Sequence, residues 1–170
     1  MKRKQRQRGS AMVEFATAGV ASTLLLISTF QLAMIKWNYH TLAFAIHEIT
    51  RYSAVRGYGC TRPGNTCSVT LGALATKIQS LGIGVPSNVV TVTFTTQSGA
   101  ATTCNPLNTC LTNSTVWPPS SNTDNAVGKK ITISANYQFN SALIFFWPGV
   151  GSQGFSRISL PASSTQTIIF

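Results

Sequence analysis

From Phe15 to Ile35 the chain runs for 21 residues without a charge, close to the roughly 20 residues that an α-helix needs to cross a bilayer core. This segment constrains the rest more than any other. The prolines all come later, so from Ser10 to about Arg56 nothing breaks a helix, and the one glycine there, Gly19, is tolerated in membrane helices. At ~1.5 Å per residue these positions make a rod of roughly 70 Å, more than twice the bilayer core. Half of it must therefore project beyond the lipid.

Charge gives the rod a direction. The formal net charge is +10 from thirteen Lys and Arg against three Asp and Glu, a balance that often marks a nucleic-acid or anionic-lipid partner. Five of the thirteen, Lys2, Arg3, Lys4, Arg6 and Arg8, lie ahead of the apolar run, without the interleaved aromatics that stack on bases. The cluster therefore reads as a basic leader that keeps the amino end cytoplasmic while everything after Lys36 is translocated. Trp37 and Tyr39 follow, where interfacial aromatics belong.

In the projecting half Leu42, Ala45, Ile46 and Ile49 recur at helical spacing and offer an apolar stripe to a packed domain. Lys36, His40, His47 and Arg51 share a neighbouring face, which reads as solvated. From Gly57 onward the 114 residues suffice for a core. The stretch "TLGALATKIQSLG" predicts a short amphipathic helix with Leu71, Leu74, Ala75, Ile78 and Leu81 on one face, Thr70 as N-cap and Gly82 as stop.

The period then changes to two. Val90, Val92 and Phe94 alternate with threonines, and Ile131, Ile133, Ala135, Tyr137 and Phe139 alternate with polar residues, each a half-buried strand. A long polar connection from about Gln97 to Gly128 separates them, and a third strand near Phe155 to Ala162 carries Ile158 and Leu160 on one face. The apolar run 141–151 reads as core filling or as a subunit contact. The order predicts an α+β fold: a long N-terminal helix, transmembrane and then projecting, packed on a small antiparallel sheet domain with one short helix.

Four cysteines, Cys60, Cys67, Cys104 and Cys110, allow three connectivities, of which two short local loops are the simplest. Disulfides suit a translocated domain. Neither pair has CxxC spacing, and only the two histidines upstream could complete a zinc site, so no metal or cofactor is expected. Glu14 and Glu48 fall on the rod and Asp124 in a loop, which leaves the outer domain no paired carboxylates for acid and base work. No nucleophile and base pair is recognisable, and an enzyme is not expected.

The unexplained residue is Glu14, a carboxylate almost inside the apolar segment. Residues 9–15, "GSAMVEF", follow the basic leader and resemble the prepilin-peptidase signal of the tight-adherence (Tad) pilus system. "EITRYSAVRG" is similar to the end of the long helix in TadE-like pseudopilins, so the likeness spans roughly residues 8–57. The resemblance implies that Gly9 ends a leader of residues 1–9, that Ser10 begins the mature chain, and that Glu14 and Phe15 are the paired acidic and aromatic positions. It also implies a pilin-like fold and a minor pilin or pseudopilin incorporated into, initiating or capping a pilus. Its partners would be a prepilin peptidase, other pilin subunits and the bacterial inner membrane, with no nucleic acid and no small-molecule substrate. The helix would occupy 10–56, spanning the membrane at about 15–35, and 57–170 would be periplasmic before assembly and extracellular after it. The alternative is an uncleaved, membrane-anchored periplasmic binding or adhesion domain.

Overall fold

In the computed structural model residues 6–57, 60, 69–142 and 157–169 are described, with side chains from Ala11 onward. Helix α1 runs unbroken from Arg6 to Ala54, so it starts four residues before Ser10. From Ala11 to Trp37 no residue is buried. Then Leu42, Ala45, Ile46, Ile49, Thr50, Ser53 and Ala54 form a buried stripe, because the sequence places apolar or small residues three and four apart. Burying a Leu or Ile here contributes about 1.5–3 kcal/mol as an upper estimate. Thr50 and Ser53 are admitted to the stripe because their hydroxyls donate to the carbonyls of Ile46 and Ile49.

The carboxyl end of α1 is closed by specific partners. Its last carbonyls lack intrahelical donors, and the Ser53 carbonyl accepts from Arg56 N while the Tyr52 carbonyl accepts from the Arg56 guanidinium. The Ala54 carbonyl accepts from Ile169 N at 3.0 Å, which ties the end of the rod to the end of the chain. The Tyr52 ring lies between two cations, Arg56 at 3.4 Å and Lys77 at 3.5 Å from its centroid, contacts worth about 0.5–1 kcal/mol each at exposed sites.

Strand β1 (Val69–Thr70) leads directly into helix α2 (Leu71–Leu81). Its first amides are all accounted for: Leu71 N donates to Thr115 O, Gly72 N to Asn113 O, and Ala73 N to the Thr70 hydroxyl. Gly72 is obligatory for a steric reason, since a Cβ there would stand 2.5 Å from the Leu111 carbonyl oxygen. The buried face is Leu71, Gly72, Leu74, Ala75 and Ile78, and Gly82 N closes the helix on Ile78 O.

The main sheet contains β2 (Val90–Thr96), β3 (Ala101–Cys104), β5 (Lys130–Asn140) and β6 (Arg157–Thr167), antiparallel in the order β3-β2-β5-β6. A two-stranded ribbon pairs β1 with β4 (Val116–Trp117). Val90, Val92 and Phe94 of β2 and Ile131, Ile133 and Ala135 of β5 turn inward into one core with Leu42, Ile46 and Ile49 of α1 and Leu74 and Ile78 of α2. Trp117 packs edge-on against Phe94 at 5.4 Å. The fold class expected from the sequence is the one observed.

The differences lie in the connections. The segment 97–128 is not simply a loop, since it contains β3, β4 and the 3₁₀ turns Leu107–Cys110 and Ser121–Thr123. The third expected strand is β6, longer than the pattern indicates, because Pro161 sits on an edge strand where proline is tolerated. The apolar run from Leu143 to Trp147 lies outside the described residues.

Asp124, a loop acid by sequence, is a buried staple, 1% exposed. Its carboxylate accepts from the Thr96 hydroxyl at 2.7 Å, from Ser98 N at 3.2 Å and from the Ser98 hydroxyl. Burial acts to raise its pKa, but the hydrogen bonds from Ser98 and Thr96 and the nearby Lys129 charge outweigh that and hold it below the ordinary value. The ionised form therefore stabilises the fold fully above the unfolded-state pKa, and its contribution is lost as pH falls through the lower folded value. Asp124→Ala is expected to cost about 1–3 kcal/mol at neutral pH, the scale of leaving buried donors without an acceptor. In parallel acid titrations the gap in melting temperature between wild type and variant should begin to narrow below about pH 4 and keep narrowing as pH falls further; a gap that stays constant down to strongly acid pH would contradict the staple.

Candidate functional site: the exposed half of the long helix

An amphipathic core helix hides one face, and the first half of α1 does not. Met12, Val13, Phe15, Val20, Leu25, Leu26, Phe30 and Leu32 are between 62% and 81% exposed and occur all around the helix. This helix is long and apolar enough to cross a membrane, and none of its most apolar stretch is buried within the protein. A core helix of a water-soluble domain would have protein on at least one side. Here the apolar surface has no cover among the described residues.

The hydroxyls within the segment satisfy themselves, whereas the buried Gln31 Oε1 has no hydrogen-bond partner among the described residues. A hydrocarbon environment supplies no donors or acceptors, so each polar group must find a partner on its own helix or a neighbour. All five hydroxyls between Phe15 and Ile35 do so: Thr17 donates to Val13 O and Glu14 O, Ser22 to Ala18 O, Thr23 to Gly19 O, Ser28 to Leu24 O and Thr29 to Leu26 O. Composition alone counts these residues as polar. Their position three or four residues beyond a helical carbonyl was the available signal, and it makes the segment effectively less polar than it reads.

The residues for which the sequence raised processing and assembly roles lie at the start of the same helix. Gly9 and Ser10 are within α1, and Glu14 follows Ser10 by four residues, about one helical turn. Glu14 is exposed and Phe15 is 81% exposed. The helix thus brings Gly9, Ser10, Glu14 and Phe15 together over its first turns.

The cysteines belong to the outer domain. Cys104 and Cys110 are joined in a disulfide that closes a loop after β3, and Cys60 is disulfide-bonded; Cys67 lies outside the described residues. Of the basic stripe, Lys36, His40, His47 and Arg51 are all exposed, as a solvated face requires. His47 Nδ1 meets the Ser164 hydroxyl of β6 at 3.4 Å. Among the described residues no group of three or more His, Cys, Asp or Glu could hold a metal ion.

At the junction of the two halves, Trp37 is 62% exposed beside buried Asn38. The turn after α2 comes close to both, since a Cβ on Gly84 would lie 3.5 Å from Trp37 Nε1 and 3.7 Å from Asn38 Oδ1. Gly84 has φ +87°, a left-handed conformation that favours glycine. The domain that follows α1 therefore begins to cover the rod at Trp37 and Asn38.

No protein-family model, no curated protein and no solved structure matches the chain.

Leu25→Arg tests the exposed half directly. A central arginine costs about 2.5–3.5 kcal/mol on insertion scales. The variant is expected to shift from the carbonate-resistant membrane fraction toward the extractable one with the outer domain still folded. Unchanged membrane retention would argue against a lipid-spanning role.

Proposed function

We propose that this chain is a minor pilin or pseudopilin of a tight-adherence type pilus. A prepilin peptidase cuts it after Gly9, α1 holds it in the bacterial inner membrane with the outer domain periplasmic, and the subunit then enters, initiates or caps the filament. The observation that carries this reading is the placement of Glu14 four residues after Ser10 on a helix whose most apolar stretch has no cover among the described residues. The basic leader, Gly9, Glu14 and Phe15 occur together ahead of it.

Glu14 has a physical reason to be paired that is independent of the resemblance. A carboxylate in a membrane helix costs several kcal/mol at the bilayer centre and less near the boundary. Removal of residues 1–9 deletes all five leader cations and creates an ammonium at Ser10. That ammonium is at pairing distance from Glu14 of the same chain, or of a neighbour whose helix lies alongside in register. A match between chains rewards one axial position, which is what a filament needs from an otherwise featureless apolar rod.

The second reading is an uncleaved anchor for a periplasmic binding or adhesion domain. One observation favours it: α1 continues through Gly9 and Ser10, and a peptide bond inside a hydrogen-bonded turn must unwind before a peptidase can reach its carbonyl.

Intact mass of the membrane-extracted protein separates the two. Loss of residues 1–9 is expected, and retention of Met1 to Gly9 in cells with an active peptidase would refute processing. Glu14→Ala is expected to be cut normally yet to fall severalfold in sheared filaments. Normal incorporation of that variant would remove the docking role.

A further inference from the structure

The side of the sheet turned away from the helices divides into two unlike ends. Toward the Asp124 end, facing hydroxyls satisfy one another: Thr93 meets Thr103 at 3.1 Å and Thr132 meets Thr165 at 2.8 Å. Toward the other end the face sinks into an open groove of about 440 Å³, lined by Val89, Thr91, Asn105, Asn136, Gln138, Asn140 and Arg157. That volume lies within the roughly 300–1,000 Å³ of small-ligand sites.

The sheet register builds this groove. Asn136, Gln138 and Asn140 alternate with the inward Tyr137 and Phe139 along β5, so three amides project from one face at about 7 Å intervals. Arg157 is directly opposite Asn140 on β6, and Thr91 is directly opposite Asn136 on β2. Two of the amides are held by hydroxyls. Asn105 Oδ1 accepts from Thr91 at 3.0 Å and Asn136 Oδ1 accepts from Ser159 at 2.7 Å, which leaves both NH₂ groups as donors. The side chains of Gln138, Asn140 and Arg157 have no hydrogen-bond partner among the described residues.

Charge narrows the ligand. The chain has three acidic residues, of which Glu14 and Glu48 are on α1 and Asp124 is committed to Thr96 and Ser98 at the far end of β2. Arg157 therefore has no carboxylate of its own to answer it, and a guanidinium fork fits a planar carboxylate with two parallel hydrogen bonds. Amides supply donors and acceptors together, as ring hydroxyls require. Among the described residues Val89 is the one apolar side chain in the lining, and the other six are polar or charged.

The geometry points to a binding site for an acidic saccharide, its carboxylate on Arg157 and its hydroxyls on Asn105, Asn136, Gln138 and Asn140. This site is independent of leader cleavage and of filament assembly. It faces the membrane side of the domain: Ala54 meets Ile169 and His47 meets Ser164, so β6 begins, at Arg157, toward the exposed half of α1. Anionic lipid headgroups are therefore the competing ligand that an experiment must separate.

The test uses the full chain, ¹⁵N-labelled, in phosphatidylcholine nanodiscs, titrated with trigalacturonate, with its methyl ester and with sialyllactose. The expected result is a saturable shift of the side-chain NH₂ resonances of Asn105, Asn136, Gln138 and Asn140 with an acidic sugar. The methyl ester should bind about tenfold more weakly or worse. Arg157→Gln should weaken acidic-sugar binding to a similar degree at an unchanged melting temperature, and Gln138→Ala should weaken both sugar forms. Thr132→Ala, at the hydroxyl-paired end, should change neither. Equal binding of the acidic and esterified sugars would overturn the proposal. So would the absence of any shift with either acidic sugar at roughly 10 mM, or shifts that appear only when phosphatidylglycerol is added to the nanodisc.

Discussion

The outer domain is organised around contact between the Leu42–Ile49 stripe of α1 and the inward faces of the sheet and α2. A four-stranded sheet with one short helix has too little apolar surface on its own elements to close a core, and the projecting rod supplies the missing wall. The same helix that leaves its first half bare is therefore indispensable to the domain at its second half. Removing the whole of α1 would take Leu42, Ile46 and Ile49 from the core, not merely detach a tether.

The elements that could be read from the sequence are those whose period is imposed by burial on one side. Leu71, Leu74, Ala75 and Ile78 mark α2 because a helix must present them together, and Val90, Val92 and Phe94 mark β2 for the corresponding reason in a strand. Strand β3 could not be read this way. Ala101–Cys104 is short, its exposed positions are small and polar, and its pairing is set by the turn that Asp124 holds from outside the hairpin. Asp124 itself looked like a loop acid because its partners, Thr96 and Ser98, are 28 and 26 residues away. The opening residues 9–15 showed their spacing plainly, but not that α1 begins at Arg6 and already includes Gly9.

The groove on the outer face was equally invisible in sequence. Asn136, Gln138 and Asn140 announce only the solvent side of a strand, and Asn105 and Arg157 come from distant positions. What joins them is register: β5 sets the amides in a row, β6 places Arg157 opposite Asn140, and Thr91 of β2 holds Asn105 beside Asn136. Local pattern reports which face a side chain occupies, and strand pairing determines its neighbours across that face.

The hydrogen bond from Ile169 N to Ala54 O, with the buried stripe below it, determines how mechanical load would travel through the molecule. A pull between rod and domain does not run first through the connecting chain after Ala54. It acts in shear along α1 and β6, where the packed side chains of the interface resist together, and not as a peel that would break them one at a time. A chain built this way keeps its two parts locked under tension until the whole contact slides.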